Sequence, residues 1–249
     1  MNKQTEELLL KSTSIIYTVD RHNNRRKATC FFVHRIKDNK KEHFLVTNKH
    51  VLKGKIKVEL HLDFYNKLTQ KYTYNNKVFI TLDNDVHFHP TYELAAFSLK
   101  FLDNADTDER TYSYNSIGVG MIPSDFNIFS NIQQIFMLGY PDGLYNKTFN
   151  LPFVRSGITA TPIMKKHDNQ DEFVVDIPSI GGSSGSPILA EVNDKLYLVG
   201  ILYCAYTRKL QINKHQNRLY HSRKYTIEID TQLGCAIRSN QLSDLINTF

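Results

Sequence analysis

Short apolar or alternating runs, each closed by a polar turn, recur along nearly the whole chain, and this rhythm leaves few folds open. Six runs fall at 14–19, 28–35, 43–47, 56–62, 72–80 and 94–101, separated by pairs such as Asn23-Asn24, Asp38-Asn39, Asn75-Asn76 and Asp83-Asn84. Asn and Asp suit tight turns because they tolerate left-handed backbone. Six more runs fall at 134–139, 153–161, 173–176, 187–192, 196–204 and 225–237. Between the two sets, 103–109 is polar and acidic and reads as a linker. Helical spacing is confined to the ends. Residues 3–12 gather Leu8, Leu9 and Leu10 near one side, and Leu242, Leu245 and Ile246 follow a capping Ser239 or Asn240. The expectation is an all-β chain of barrel or sandwich type. Its units are a helix and first β-unit over 1–102, a linker over 103–117, and a second β-unit with a closing helix over 118–249.

At 249 residues the chain can bury one large core or two small ones. No run of about 18 apolar residues predicts a membrane span, and the N-terminus lacks the apolar core of a signal peptide. Cys30, Cys204 and Cys235 are odd in number and scattered, so neither a disulfide framework nor a zinc site is expected. These features suggest a cytoplasmic protein without a metal or cofactor. The net charge of +6 is mostly dispersed among acids. The exception is 208–224, with Arg208, Lys209, Lys214, Arg218, Arg223 and Lys224 and no acid. It reads equally as a solvated loop or as an attractant for acidic peptides. Aromatic and basic residues do not interleave as in single-strand binders, which argues against a nucleic-acid partner.

Chemistry concentrates in three places. Gly181-Gly182-Ser183-Ser184-Gly185-Ser186-Pro187 lies between two apolar runs, and its glycines open backbone conformations closed to other residues. Such a turn can expose a serine hydroxyl and aim the N–H groups of Gly182 and Ser184 at one point. His50 stands where the apolar run 44–47 ends in a polar turn. His22, His34, His43, His167, His215 and His221 lie in polar stretches and read as solvated. His61 alternates with apolar neighbours, and His87 and His89 sit in a loop before Pro90. Glu93 opens an otherwise apolar strand, where a carboxylate requires a partner. Asp83 and Asp85, in the preceding turn, are the alternatives.

Thr47-Asn48-Lys49-His50-Val51 resembles the histidine motif of trypsin-like serine peptidases, especially their HtrA-like and bacterial cytosolic members. Tyr92-Glu93-Leu94-Ala95 resembles their acid motif, and Gly182 to Pro187 their nucleophile motif. Leu233-Gly234-Cys235-Ala236-Ile237 and the helix after it resemble their last strand and terminal helix. The resemblance runs over nearly the whole chain after residue 13. It implies two six-stranded antiparallel β-barrels of chymotrypsin type, with the site in the cleft between them. It also implies Ser184 as nucleophile, His50 as general base and then acid, and Glu93 as the group orienting His50. Gly182 and Ser184 would form the oxyanion hole, and peptide bonds would be hydrolysed through an acyl-enzyme.

Four departures from the family bear on function. The acid is Glu rather than Asp, one methylene longer. Ser183 replaces the Asp that captures a new N-terminus in zymogen-type members, which implies no activation by that route. Val51 stands where secreted members carry a disulfide cysteine. Pro178 stands where trypsin has its charge-selecting Asp. With Ser179 beside it and walls from Tyr203, Ala205, Gly234 and Ala236, the expected substrate pocket is small or apolar; Asp176 reaching it would favour basic residues instead. The expected partner is a peptide or protein substrate, with another chain as one route of control. The rival reading is a catalytically silent scaffold of the same fold. Competent residues at all three catalytic positions argue against it.

Overall fold

A computed structural model of the chain describes residues 3–82, 85–104, 107–214 and 223–249. The elements of the first half are α1 (Lys3–Lys11), β1 (Thr13–Asp20), β2 (Arg25–Lys37), β3 (Lys40–Thr47), α2 (Lys49–Leu52), β4 (Lys55–Asn66), β5 (Lys71–Thr81), β6 (Val86–Phe88), β7 (Ala95–Ser98), α3 (Lys100–Asn104), β8 (Arg110–Ser113) and β9 (Ile117–Gly118). The second half holds β10 (Gln134–Gly139), β11 (Phe153–Thr159), β12 (Glu172–Asp176), β13 (Pro187–Val192), β14 (Lys195–Lys214), β15 (Arg223–Arg238) and α4 (Asn240–Ile246).

The second half closes into a six-stranded barrel in the order β10-β11-β12-β15-β14-β13. The first half is a nine-stranded sheet whose main path runs β5-β4-β1-β2-β3-β7-β6, with β8 on β4 and β9 on β2. Every pairing in it is antiparallel except β2 with β9, where Val33 lies beside Ile117. The chymotrypsin-like arrangement expected from the sequence is therefore present, with extra short strands on its first sheet. One of these, β8, falls inside the stretch expected as a linker, and β9 straddles its end. Tyr112 of β8 packs on Phe64 of β4, with ring centroids 4.6 Å apart.

Strand alternation divides the apolar residues among three cores. Cys30 and Phe32 of β2 join Leu45, Leu60 and Phe97 inside the first sheet. Phe31 and Val33, one residue out of phase, face the other way with Phe44, Val46 and Leu94. There they meet Leu189, Ile201 and Ile237 of the second barrel and Leu242, Leu245 and Ile246 of α4. The second barrel is filled by residues such as Ile135, Phe173, Val175, Ile188 and Ala236. The middle core thus fixes one half against the other, with α1 contributing Leu9 and α4 closing the end. Among the described residues, no helix is long and apolar enough to cross a membrane.

Candidate active site

α2 is a single turn whose Val51 and Leu52 are buried in the first core, so Lys49 and His50 emerge on its other side. Asn48, just before it, donates through Nδ2 to the carbonyl of Glu93 at 2.9 Å. That bond ties the α2 turn to the loop before β7. Leu94, wholly buried, anchors the far end of the loop. Glu93 then meets His50: its Oε2 lies 2.9 Å from the ring Nδ1 and accepts the His50 backbone N–H at 3.1 Å. One carboxylate oxygen therefore fixes both the backbone and the ring. The pair is open to solvent, with side chains 47% and 37% exposed. Asp85 lies in an exposed turn with no ion pair to His50 among the described residues. Asp83 lies outside the described residues.

The Ser184 turn is seated on β2 and the end of β3. The Thr29 amide donates to the Ser184 carbonyl at 2.9 Å. Thr47 Oγ1 donates to the Thr29 carbonyl at 2.8 Å. Gly185 takes φ +88°, and a Cβ there would stand 2.1 Å from the Thr29 carbonyl oxygen and 2.6 Å from Thr47 Oγ1. Only glycine allows this approach. Because Thr47 is one residue from the Asn48-Lys49-His50 turn, these contacts bring the Ser184 turn to the histidine. No hydrogen bond joins the Ser184 hydroxyl to His50 among the described residues.

The peptide before the serine is held from the other side. Gly182 has φ +90°, and an added Cβ would meet the Tyr140 carbonyl oxygen at 2.6 Å. The amide of Asp142 donates to the Gly181 carbonyl, and Thr29 Oγ1 donates to the Gly182 carbonyl at 2.8 Å. A trans peptide points its C=O and N–H in opposite directions. The Gly182 N–H therefore points away from the 140–143 turn. Neither it nor the Ser184 N–H has an acceptor among the described residues. Lys27 holds Asp142 through its carbonyl and its carboxylate. The 140–143 turn, to which sequence pattern alone assigns no chemistry, is the cradle of this peptide. Thr29 was equally silent, one Thr among strand residues. An open recess of about 450 Å³ lies between Gly181-Gly182 and the basic start of β2.

The expected pocket residues separate. Gly234 pairs with Ala205 across β14–β15, and an added Cβ would stand 2.4 Å from Ser179 Oγ. Ser179 is only 1% exposed and donates to the Ile177 carbonyl at 2.8 Å, so it backs Gly234 rather than facing solvent. Pro178 is exposed, and its carbonyl accepts from Arg155. Tyr203 donates to Glu172 at 2.8 Å. Ala236, two residues along β15 from Gly234, is wholly buried in the interior of the second barrel. Asp176 lies exposed at the end of β12, paired with Leu233.

Cys204 and Cys235 are direct cross-strand partners beside Gly234. Tyr206 Oη lies 3.2 Å from Cys235 Sγ. Hydrogen bonds from Cys204 and Tyr206 lower the Cys235 pKa to about 6, while Cys204 itself is pushed up. Arg208 and Lys209, expected near the cleft rim, lie on the exposed extension of β14, where Lys209 sits 3.6 Å from Glu228. His215, Arg218 and His221 lie outside the described residues. His61 is buried between Glu59 at 2.9 Å and Asn75 at 2.6 Å. His34 and His43, read as solvated, are half-buried neighbours across β2–β3, their rings 5.8 Å apart. Among the described residues, no cluster of three or more His, Cys, Asp or Glu side chains could hold a metal.

A closed six-stranded barrel packed on a second antiparallel sheet, with a histidine–carboxylate pair and a glycine-framed serine turn at their junction, defines the class: a trypsin-like serine peptidase domain. The chain belongs to the trypsin-like peptidase domain family, whose model matches residues 28–201. Among solved structures, the HtrA-type protease AlgW with a tripeptide superposes with a TM-score of 0.59 at 13% identity, over 97% of this chain and 61% of that one. The Rv3671c protease from M. tuberculosis in its active form gives 0.55 at 13% identity, over 97% of this chain and 82% of that one. The protease Anisep from Arthrobacter nicotinovorans gives 0.53 at 12% identity, over 97% and 96%. The chain thus spans about three-fifths of the length of the HtrA-type proteases it matches. Comparison with curated proteins by sequence finds no match.

Proposed function

We propose that the chain hydrolyses peptide bonds through an acyl-enzyme on Ser184, with His50 as base and then acid and Glu93 as its orienting carboxylate. The observation that carries this reading is the double hold of Glu93 Oε2 on His50, at Nδ1 and at the backbone N–H. With Nδ1–H engaged, the tautomer leaves Nε2 free to take the Ser184 proton as the hydroxyl attacks a carbonyl. The imidazolium formed is stabilised by the carboxylate behind it. His50 then returns the proton to the leaving amine, and water repeats the sequence to release the acid.

The open N–H groups of Gly182 and Ser184 supply the oxyanion donors. Glycine at 182 and 185 supports that role, since both backbones press against neighbours where a side chain would collide. Fixed donors need no reorganisation as negative charge develops, and removing one costs on the order of 100-fold in kcat. Among the described residues the Ser184–His50 hydrogen bond is not formed, and such bonds often tighten only when substrate arrives. A peptide substrate is further favoured by the structural likeness to an HtrA-type protease with a bound tripeptide.

The test is labelling with a fluorophosphonate probe. Wild-type protein should form a covalent adduct at Ser184, and Ser184→Ala and His50→Ala should not. Absence of labelling in the wild type, with peptides of varied sequence left uncut, would favour the silent scaffold instead.

A further inference from the structure

The loop that ends in Glu93 is organised around a second histidine. His89 is 6% exposed, yet its Nδ1 accepts backbone hydrogen bonds from Thr91 at 3.2 Å and Tyr92 at 3.0 Å. Its own amide donates to the Leu94 carbonyl at 3.0 Å, and the Leu94 amide donates to the Tyr92 carbonyl at 2.8 Å. The imidazole thus acts like a capping side chain, closing a turn whose next residue is the proposed triad acid. Tyr92 packs its ring on His89 with centroids 5.1 Å apart. Its hydroxyl accepts from the Asp171 amide at 3.0 Å, reaching across to the second half. Tyr92 also packs against the middle core, whereas Pro90 and Thr91 are exposed and Glu93 is held through Asn48 and His50.

We propose that neutral His89 is a positioning residue for Glu93, its Nδ1 lone pair fixing the turn that sets the carboxylate against His50. The proposal rests on the reading of Glu93 as the orienting acid. It follows that the ring proton sits on Nε2, since Nδ1 is an acceptor twice over. Protonation at Nδ1 would place an N–H against two N–H donors and break the turn. Burial holds the His89 pKa below the ordinary 6.5, and Lys49 of α2 pushes the same way. Asp244 and Gln241 of α4 oppose them. At neutral pH the ring is therefore uncharged and the turn closed. As pH falls, protonation of His89 opens the turn.

Two variants separate positioning from packing. His89→Ala removes the acceptor, whereas His89→Asn returns an amide oxygen close to the place of Nδ1. The measurements are the rate of fluorophosphonate labelling at Ser184 from about pH 5 to 8 and the proton NMR signal of the His50 Nδ1–H. His89→Ala should slow labelling about ten- to a hundredfold and weaken the NMR signal. His89→Asn should restore both to near wild type. In acid, the wild-type rate should fall more steeply than that of the Asn variant. Equal rates and signals in His89→Ala and wild type overturn the proposal, as does an Asn variant no better than Ala. Should His89→Ala not fold, the acid limb of the Asn variant decides: a fall as steep as that of wild type overturns it. A wild type inert to the probe refutes the reading of Ser184 alone, because the NMR signal still reports whether His89 sets Glu93 on His50.

Discussion

Glu93→Gln is the most informative single change in this site. Glu93 Oε2 accepts from both His50 Nδ1 and the His50 amide. Glutamine keeps the length and one carbonyl oxygen but replaces the other with an NH₂ donor. With the NH₂ in the place of Oε2, the donor faces the ring, His50 turns to the tautomer with its proton on Nε2, and that nitrogen can no longer take the serine proton. With the oxygen there, both hydrogen bonds persist. In either case the carboxylate that would stabilise the imidazolium is gone. The same acid-to-amide change in a well-characterised serine protease triad lowers kcat about 10⁴-fold. Here the pair is well exposed, and water reaches a ring 47% open, so a loss of about 10³-fold is expected. At 1.36 kcal/mol per tenfold this is about 4 kcal/mol on the barrier. Stability should barely move, because exposed ion pairs contribute only about 0.2–1 kcal/mol. Labelling rates, kcat/KM on a cleavable peptide and a thermal melt give the comparison. Glu93→Asp should fall between, since its carboxylate retreats by about one C–C bond, roughly 1.5 Å, beyond hydrogen-bond reach of Nδ1 unless the loop follows. A Gln variant within tenfold of wild type would remove Glu93 from the mechanism.

Gly185→Ala should cost at least about 2 kcal/mol in urea unfolding and abolish labelling, given φ +88° and the collision with the Thr29 carbonyl; an active, stable variant would mean the serine turn is not seated as described. Thr29→Val strips the hydroxyl that donates to the Gly182 carbonyl and accepts from the Tyr140 amide at 3.0 Å. It should destabilise by about 1–3 kcal/mol and slow acylation more than it changes KM. Because the folded-state pKa of His89 lies below 6.5, its contribution to stability is complete above pH 6.5 and is lost as pH falls through the folded value; acid unfolding of His89→Asn should lack that component. Tyr206→Phe removes the hydroxyl hydrogen-bonded to Cys235 Sγ and should raise the thiol titration from about 6, read by ultraviolet absorbance against Cys235→Ser.

Strands that bury one or both faces were legible in the sequence. β10 and β13 fall on 134–139 and 187–192, the ranges their apolar runs gave. Strands lying in solvent were not. β14 continues from Cys204 to Lys214 as a ladder with β15, yet Tyr206 to Lys209 are exposed and polar or basic apart from the Tyr206 ring, so no periodicity marks them as strand. β8 and β9 were hidden for a related reason. They are short pieces recruited by long-range pairing, and 110–113 alone reads as a polar connection. In the site, His50 and Glu93 were legible because a polar group stood at the border of an apolar run in each case. His89 was not, since its burial comes from α4 and the loop's own fold, over 150 residues apart in the chain in the case of Gln241 and Asp244.

Apart from the Lys27–Asp142 pair, the position of the serine turn relative to the histidine depends on contacts that carry no charge. Ser184 comes from the second barrel and His50 from the first sheet, and the bonds joining their segments are made by Thr29 and Thr47 to backbone groups. Each is worth only about 1 kcal/mol net, too little to fix two halves of a protein. The larger restraint is the middle core, where Phe31, Val33, Phe44 and Val46 pack against Leu189, Ile201, Ile237 and Leu242. Full burial of each such side chain contributes about 1.5–3 kcal/mol. The same strands serve both purposes. Thr29 precedes Phe31 by two residues on β2, and Thr47 follows Val46 on β3, so the residues gripping the serine turn are continuous with those locking the halves together. A methylene lost from this core would therefore shift the serine turn against His50 as well as lower stability. Displacement of about 1 Å can cost 100-fold in rate. Truncations in the middle core should thus reduce activity well before they unfold the chain, whereas equal truncations inside either barrel should not.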